Sequence, residues 1–199
     1  MSKYKTIFFD WGGVVADDPG DDFLTLLLRQ LGATDEQVAE IYRNYMFAFM
    51  RGTITEAEYW SAIKDKYGFT IHDSISEEFK KWKGLVANQD ILDLIDELKA
   101  NGYKVAILSN VIEPTYNVLL EAGYYGQFDE VIASCKVGYA KPEKEIYDLA
   151  LNQLEALPEE SIFIDDKERN LIPAREMGFA TVLAQDSEQI IRDVHRLLI

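Results

Sequence analysis

Apolar residues along the chain follow two spacings. Short runs at Tyr4 to Phe9, Val105 to Leu108, Glu130 to Ala133, Ser161 to Ile164 and Thr181 to Leu183 are bounded by turn residues and read as buried strands. Elsewhere the apolar positions fall three and four apart, as in Ile91, Leu94, Ile95 and Leu98, the mark of a helix with one buried face. The order is one strand, a block of helices, then strands and helices in alternation. That alternation predicts an α/β fold, a Rossmann-like parallel sheet with helices on both faces. The helical block, a small bundle, is then an insertion after the first strand. The domain reading is a core of residues 1–15 and 87–199 and an insertion of residues 16–86.

Local signals mark where these elements begin and end. Phe23 to Leu31 reads as a helix closed by Gly32. Thr34 with Gln37, and Thr55 with Glu58, have the spacing of capping boxes, the second opening a helix that stops near Gly68. Ser76 is a candidate cap for a short helix around Phe79 and Trp82. Asp90 is placed as the cap of the helix that ends before Gly102. Lys141-Pro142 introduces a helix through Ile146, Tyr147, Ala150 and Leu154, and Ser187 opens the last one. Asn170 reads as a cap with Pro173 in the first turn, where a missing N–H is tolerated. Tyr42, Tyr45, Phe47 and Phe49 read as the core of the inserted bundle rather than a cofactor box.

Composition narrows the function classes. A chain of 199 residues suits one α/β domain, alone or with a smaller insertion, and a net charge of −15 repels nucleic acid and anionic membrane surfaces. Neither is expected as a partner, and any anion bound needs local positive charge or a metal. Cys135 is the single cysteine, so there is no internal disulfide and no thiolate metal cluster, which fits a reducing compartment. The N-terminus lacks a signal pattern and no apolar run is long enough to span a bilayer, so the expectation is a cytoplasmic protein, a monomer or weak dimer.

Candidate chemistry starts at Lys5-Thr6-Ile7-Phe8-Phe9-Asp10-Trp11-Gly12-Gly13-Val14-Val15, where an apolar strand runs into a carboxylate and two glycines. In open parallel sheets ligands bind outside the carboxyl ends of strands, which is where Asp10 would sit. Other strands end at Ser109-Asn110 and Asp165-Asp166, and Lys141 lies beside them. Neighbouring carboxylates repel unless a cation neutralises them, and oxygen donors in this number suit Mg²⁺. Ser109, Lys141 and free backbone N–H groups would hold a phosphoryl group, leaving Asp10 to attack phosphorus. Taken singly, the plainer reading is favoured for each: Ser109 as a cap, Lys141 as a surface charge and Asp165-Asp166 as a turn. Together they point to one site.

In this order and spacing, Phe9-Asp10-Trp11-Gly12-Gly13-Val14, Leu108-Ser109-Asn110, Lys141-Pro142-Glu143 and Ile164-Asp165-Asp166 with Asn170 and Gly178 resemble the haloacid dehalogenase-like hydrolase superfamily. The resemblance covers almost the whole chain and falls in the branch with a helical cap inserted after the first strand. Within it the chain is similar to small bacterial phosphatases acting on α-D-glucose 1-phosphate and related sugar phosphates, and Arg51-Gly52 before Ile54-Thr55 resembles a cap segment of that group. The resemblance implies a phosphomonoester hydrolase for a small phosphorylated substrate, with Mg²⁺ as cofactor. Asp10 would be nucleophile and metal ligand, passing through an aspartyl-phosphate. The Gly12 carbonyl and Asp166 would be further ligands, and Asp165 would support the metal shell. Ser109 and Asn110 would bind phosphoryl oxygens, and Lys141 would neutralise developing charge.

The sequence departs from the family pattern at Gly12, where most phosphatases of the superfamily carry a second aspartate that is general acid and then base. That help is worth about 10² to 10⁴ in rate, so a good leaving group such as an anomeric oxygen suffers least. Asp17 and Asp18 are candidate substitutes, or solvated loop residues. The loss argues against a phosphoglucomutase. Two rival readings stand beside the phosphatase: a 2-haloacid dehalogenase-type carbon–halogen hydrolase, and a weakly active or non-catalytic phosphate-binding homologue. Trp11, Tyr45 and Phe49 are offered as substrate contacts, with packing as the competing role. His72 and His195 are read as ordinary surface residues.

Overall fold

The computed structural model describes residues 2–16, 23–69 and 86–199. Five parallel strands form one sheet in the order β3-β2-β1-β4-β5: β1 (Thr6–Phe9), β2 (Lys104–Ser109), β3 (Glu130–Ala133), β4 (Ser161–Asp165) and β5 (Ala180–Leu183). The period of two along β1 sends its side chains to opposite faces. Ile7 and Phe9 join Val105, Ile107, Ile162 and Ile164 against the helices Gln89–Ala100 and Ser187–Leu198. Phe8 joins Ala106, Leu108, Ile132 and Phe163 against Lys144–Leu154 and Glu168–Met177. Burial on both faces explains why these strands are continuous apolar runs rather than alternating ones.

The inserted helices are Phe23–Gln30, Asp35–Ile41, Phe47–Met50 and Glu56–Tyr67, with no strand between them among the described residues. Both capping boxes form: Thr34 accepts from the Gln37 N–H while the Gln37 side chain takes the Thr34 N–H, and Thr55 and Glu58 do the same. A π-helical turn, Tyr42–Met46, carries the second helix into the third; no sequence signal announced it. Leu24, Leu28, Ile41, Met46, Phe49, Tyr59 and Ile63 make a second apolar core, which Ile112 and Val118 complete from the main body. The insertion therefore shares its core with the helix Glu113–Glu121. At its base Ala16 bridges to Ala87, and the Asn88 N–H donates to the Val15 carbonyl at 2.7 Å. Asp17, Asp18, His72, Ser76, Phe79 and Trp82 lie outside the described residues.

Three local expectations change. Asn88, not Asp90, caps Gln89–Ala100: its side chain accepts the Asp90 N–H at 3.0 Å, so Asp90 falls in the first turn. Lys141 does not itself begin a helix: Glu143 is the N-cap, and the helix runs over Lys144–Leu154. Asn170 does not cap Glu168–Met177; it lies within the first turn, after an extended Lys167, and Pro173 sits deeper inside the helix.

Candidate active site

Because β2, β1 and β4 are adjacent and parallel, their carboxyl ends open on one edge. Asp10 follows β1 with its N–H on the Ile164 carbonyl at 2.9 Å, Ser109 ends β2 and Asp165 ends β4. The Lys141 ammonium, from the loop before Lys144–Leu154, is the bridge. It lies 2.6 Å from Asp165 Oδ2 and 3.0 Å from Asp10 Oδ2, with its side chain fully buried. Phe163 lies beneath it, its ring centroid 5.2 Å from Nζ. A buried lysine needs such partners, since an unpaired charge away from water is expensive.

Each acid is held differently. The Trp11 N–H reaches Asp10 Oδ1 at 2.7 Å, and the Ser109 hydroxyl lies close enough to favour the charged form of Asp10. Asp165 is wholly enclosed: beyond Lys141 it accepts from the Lys167 N–H at 2.8 Å and from Asn170 Nδ2, 3.0 Å from each carboxylate oxygen. Asp165 is thus a clamp on the lysine. Asp166 Oδ1 is buried with no hydrogen-bond partner, and the Lys167 ammonium is 3.4 Å from its Oδ2. One carboxylate oxygen from each of Asp10, Asp165 and Asp166 falls within 4.8 Å of the others.

The same environment sets the charges. Burial by itself would raise Asp10, but Lys141, then Lys167, and the Ser109 hydrogen bond hold its carboxyl below the ordinary value. It is the most readily ionised of the three. Burial dominates at Asp165 and pushes it up to about 6 against the pull of Lys141, with the Asp10 charge adding to the rise. Asp166 is raised too, by burial first, against Lys167. Three acids, two of them reluctant to ionise and one with an unpartnered oxygen, offer oxygen atoms of the type that could hold a hard divalent cation.

The structure brings Asp10, Ser109, Lys141, Asp165 and Asp166 together. The Asn110 side chain meets the Lys141 backbone: its Nδ2 donates to the Lys141 carbonyl at 2.8 Å and its Oδ1 accepts the Lys141 N–H at 2.7 Å. Its amide thus positions the lysine. Gly12 is exposed, and a Cβ built there meets nothing within 4 Å. Trp11 packs against Tyr124 and Tyr125, and Phe49 stacks on Tyr59 with centroids 4.5 Å apart, so both are packing residues, while Tyr45 lies half-buried against the inserted core. His195 is half-buried beside Glu97. Sequence reading missed Lys167, whose only signal was a basic residue next to two acids, and the role of Asn170.

A family model described as haloacid dehalogenase-like hydrolase matches residues 4–178. The chain belongs to that family. Among curated proteins this hydrolase is 28% identical over 200 residues to the sesquiterpene phosphatase astK of Aspergillus oryzae, covering 99% of this chain and 98% of that one. It is 25% identical over 188 residues to the D-ribitol-5-phosphate phosphatase of Bacteroides thetaiotaomicron, covering 89% and 90%. It spans about a fifth of the length of the bifunctional epoxide hydrolases that it also matches. Among solved structures, a HAD family enzyme of Bacteroides thetaiotaomicron in complex with magnesium and inorganic phosphate superposes with a TM-score of 0.73 at 26% identity, covering 92% of this chain and 96% of that one. No helix among the described residues is long and apolar enough to cross a membrane.

Proposed function

We propose that this hydrolase is a Mg²⁺-dependent phosphatase that cleaves a phosphomonoester of a small metabolite, a sugar phosphate such as glucose 1-phosphate, through an aspartyl-phosphate on Asp10. The observation that carries the reading is the buried Lys141 bridging Asp10 and Asp165 beside an Asp166 oxygen without a partner. Two relatives matched over nearly their whole length carry phosphatase names, and a structural neighbour holds magnesium and phosphate. The donor set fits Mg²⁺, which Asp10, Asp166 and the residue-12 carbonyl would hold with Asp165 in support. Bound there, the ion supplies electrostatic relief for charge on the transferring phosphoryl group.

Asp10 is the most readily ionised of the three acids, and the Trp11 N–H and Lys141 aim its carboxylate to attack phosphorus in line. The new P–O bond forms as the ester P–O bond breaks, and the leaving oxygen takes its proton from water because Gly12 offers none. Lys141 neutralises Asp10 and the incoming dianion, and Ser109 donates to a phosphoryl oxygen. Water then attacks the aspartyl-phosphate, releasing inorganic phosphate and restoring Asp10. The helical insertion, residues 16–86, is the cap that closes over the site and sets substrate choice. The test is phosphate release from a panel of sugar phosphates with and without Mg²⁺, with Asp10→Asn as control. Mg²⁺-dependent turnover abolished in the variant is expected; full turnover by Asp10→Asn removes the nucleophile and the reading with it.

A further inference from the structure

The turn Met50 to Gly52 lies where the insertion touches the main body, and it is fastened there at three points. The hydroxyl of Ser134, fully buried, donates to the Met50 carbonyl at 2.7 Å and accepts the Val111 N–H at 2.9 Å. A Cβ on Gly52, which has φ +66°, would fall 2.4 Å from the Cys135 carbonyl oxygen, so backbone meets backbone and only glycine fits. Between them Arg51 grips Glu143 with two nitrogens, Nε on Oε2 at 2.9 Å and a terminal nitrogen on Oε1.

Glu143 is not a bystander. Its Oε2 also accepts the Ala140 N–H at 2.8 Å, the amide just before Lys141. Asn110 holds the lysine's own N–H and carbonyl. The Ala140-Lys141 backbone is therefore gripped from two sides, at Lys141 by Asn110 just beyond β2 and at Ala140 from the insertion by Arg51 through Glu143. We propose that Arg51 and Glu143 act as a positioning pair, through which seating of the insertion on the main body sets Lys141 against Asp10. A planar guanidinium fork on a carboxylate fixes direction as well as distance. The pair is about a third exposed, with side chains at 34% and 29%, so its weight falls on geometry more than on stability.

The inference rests on the phosphatase reading, and its test keeps the two apart. Turnover of p-nitrophenyl phosphate with Mg²⁺ is measured for the wild type, Arg51→Gln, Glu143→Gln, the double variant and Arg51→Lys. Hydrogen exchange is followed at the Ala140 and Lys141 amides. Misplacing a catalytic group by about 1 Å costs on the order of 10² in rate, so partial release should lower kcat about 10-fold in each glutamine variant with KM little changed. The double variant should be no worse than the poorer single, because the two act as one unit, and Arg51→Lys should recover part of the loss. Exchange at the two amides should quicken in Arg51→Gln and stay as in wild type in Asp10→Asn. Unchanged kcat and exchange in Arg51→Gln overturn the inference, as does a fall in melting temperature alone. A wild type without turnover overturns the phosphatase reading instead, and the exchange measurement still decides whether the insertion steadies Lys141.

Discussion

Asp166 reaches into the turn after β1 only because residue 13 has no side chain. Gly13 has φ +73°, and a Cβ there would lie 2.7 Å from Asp166 Cγ. The acid with the unpartnered oxygen and the glycine behind the nucleophile are thus one fitted contact across 153 residues of chain, from 13 to 166. Gly13→Ala combines a backbone angle closed to alanine with a clash. It should cost about 1–3 kcal/mol, read as a lower urea midpoint, and weaken Mg²⁺ affinity in calorimetry. Wild-type affinity in a folded Gly13→Ala chain would separate Asp166 from the metal.

Lys141→Met keeps the length of the side chain and removes its charge. It leaves Asp10 and Asp165 facing each other in a buried space, and breaking such a pair by removing one partner costs about 3–5 kcal/mol. Activity should disappear and the urea midpoint should fall. The fall should be smaller at low pH, where protonation of Asp165 relieves the repulsion.

Gly12 is open where Gly13 is closed. Its φ lies outside the left-handed region and a Cβ meets nothing within 4 Å, so Gly12→Asp should fold normally. The added carboxyl supplies the proton that the leaving oxygen lacks. Turnover of an alkyl phosphate should rise by about 10², while p-nitrophenyl phosphate, whose leaving group needs no proton, should change little. An equal change on both substrates would mean that the new acid does not reach the leaving oxygen.

The acids give the metal-free protein a pH signature. Asp165 is raised from 3.8 to about 6, so between those values the folded chain keeps a proton that the unfolded chain has released. Stability contributed by Asp165 is then present below 3.8 and lost as pH rises toward about 6. Asp166 has the same sign; Asp10, lowered, has the opposite one, its contribution present above 3.8 and lost on acidification. Mg²⁺ needs the deprotonated acids, so its stabilising effect should grow across the same window. Melting temperatures with chelator and with Mg²⁺ should differ more at about pH 7 than at about pH 5; equal shifts would remove these acids from the metal site.

Much of this was legible in the amino acids alone. The strands announce themselves because a doubly buried strand must be apolar throughout, as Ile7, Phe8 and Phe9 are. The caps at Thr34 and Thr55 announce themselves because both partners lie within three residues. Asp10, Ser109 and Asp165 stand out as polar residues at the ends of such strands. What the chain could not declare is who holds whom. Asn110 grips Lys141 across 31 residues, Lys141 bridges to Asp165 across 24, and Arg51 finds Glu143 across 92. Local pattern encodes periodicity and caps, whose energies are settled within a turn or two of chain. Pairings between distant polar side chains exist only once the parallel register of β2, β1 and β4 has brought their ends together and burial has made an unpaired charge too costly to leave alone.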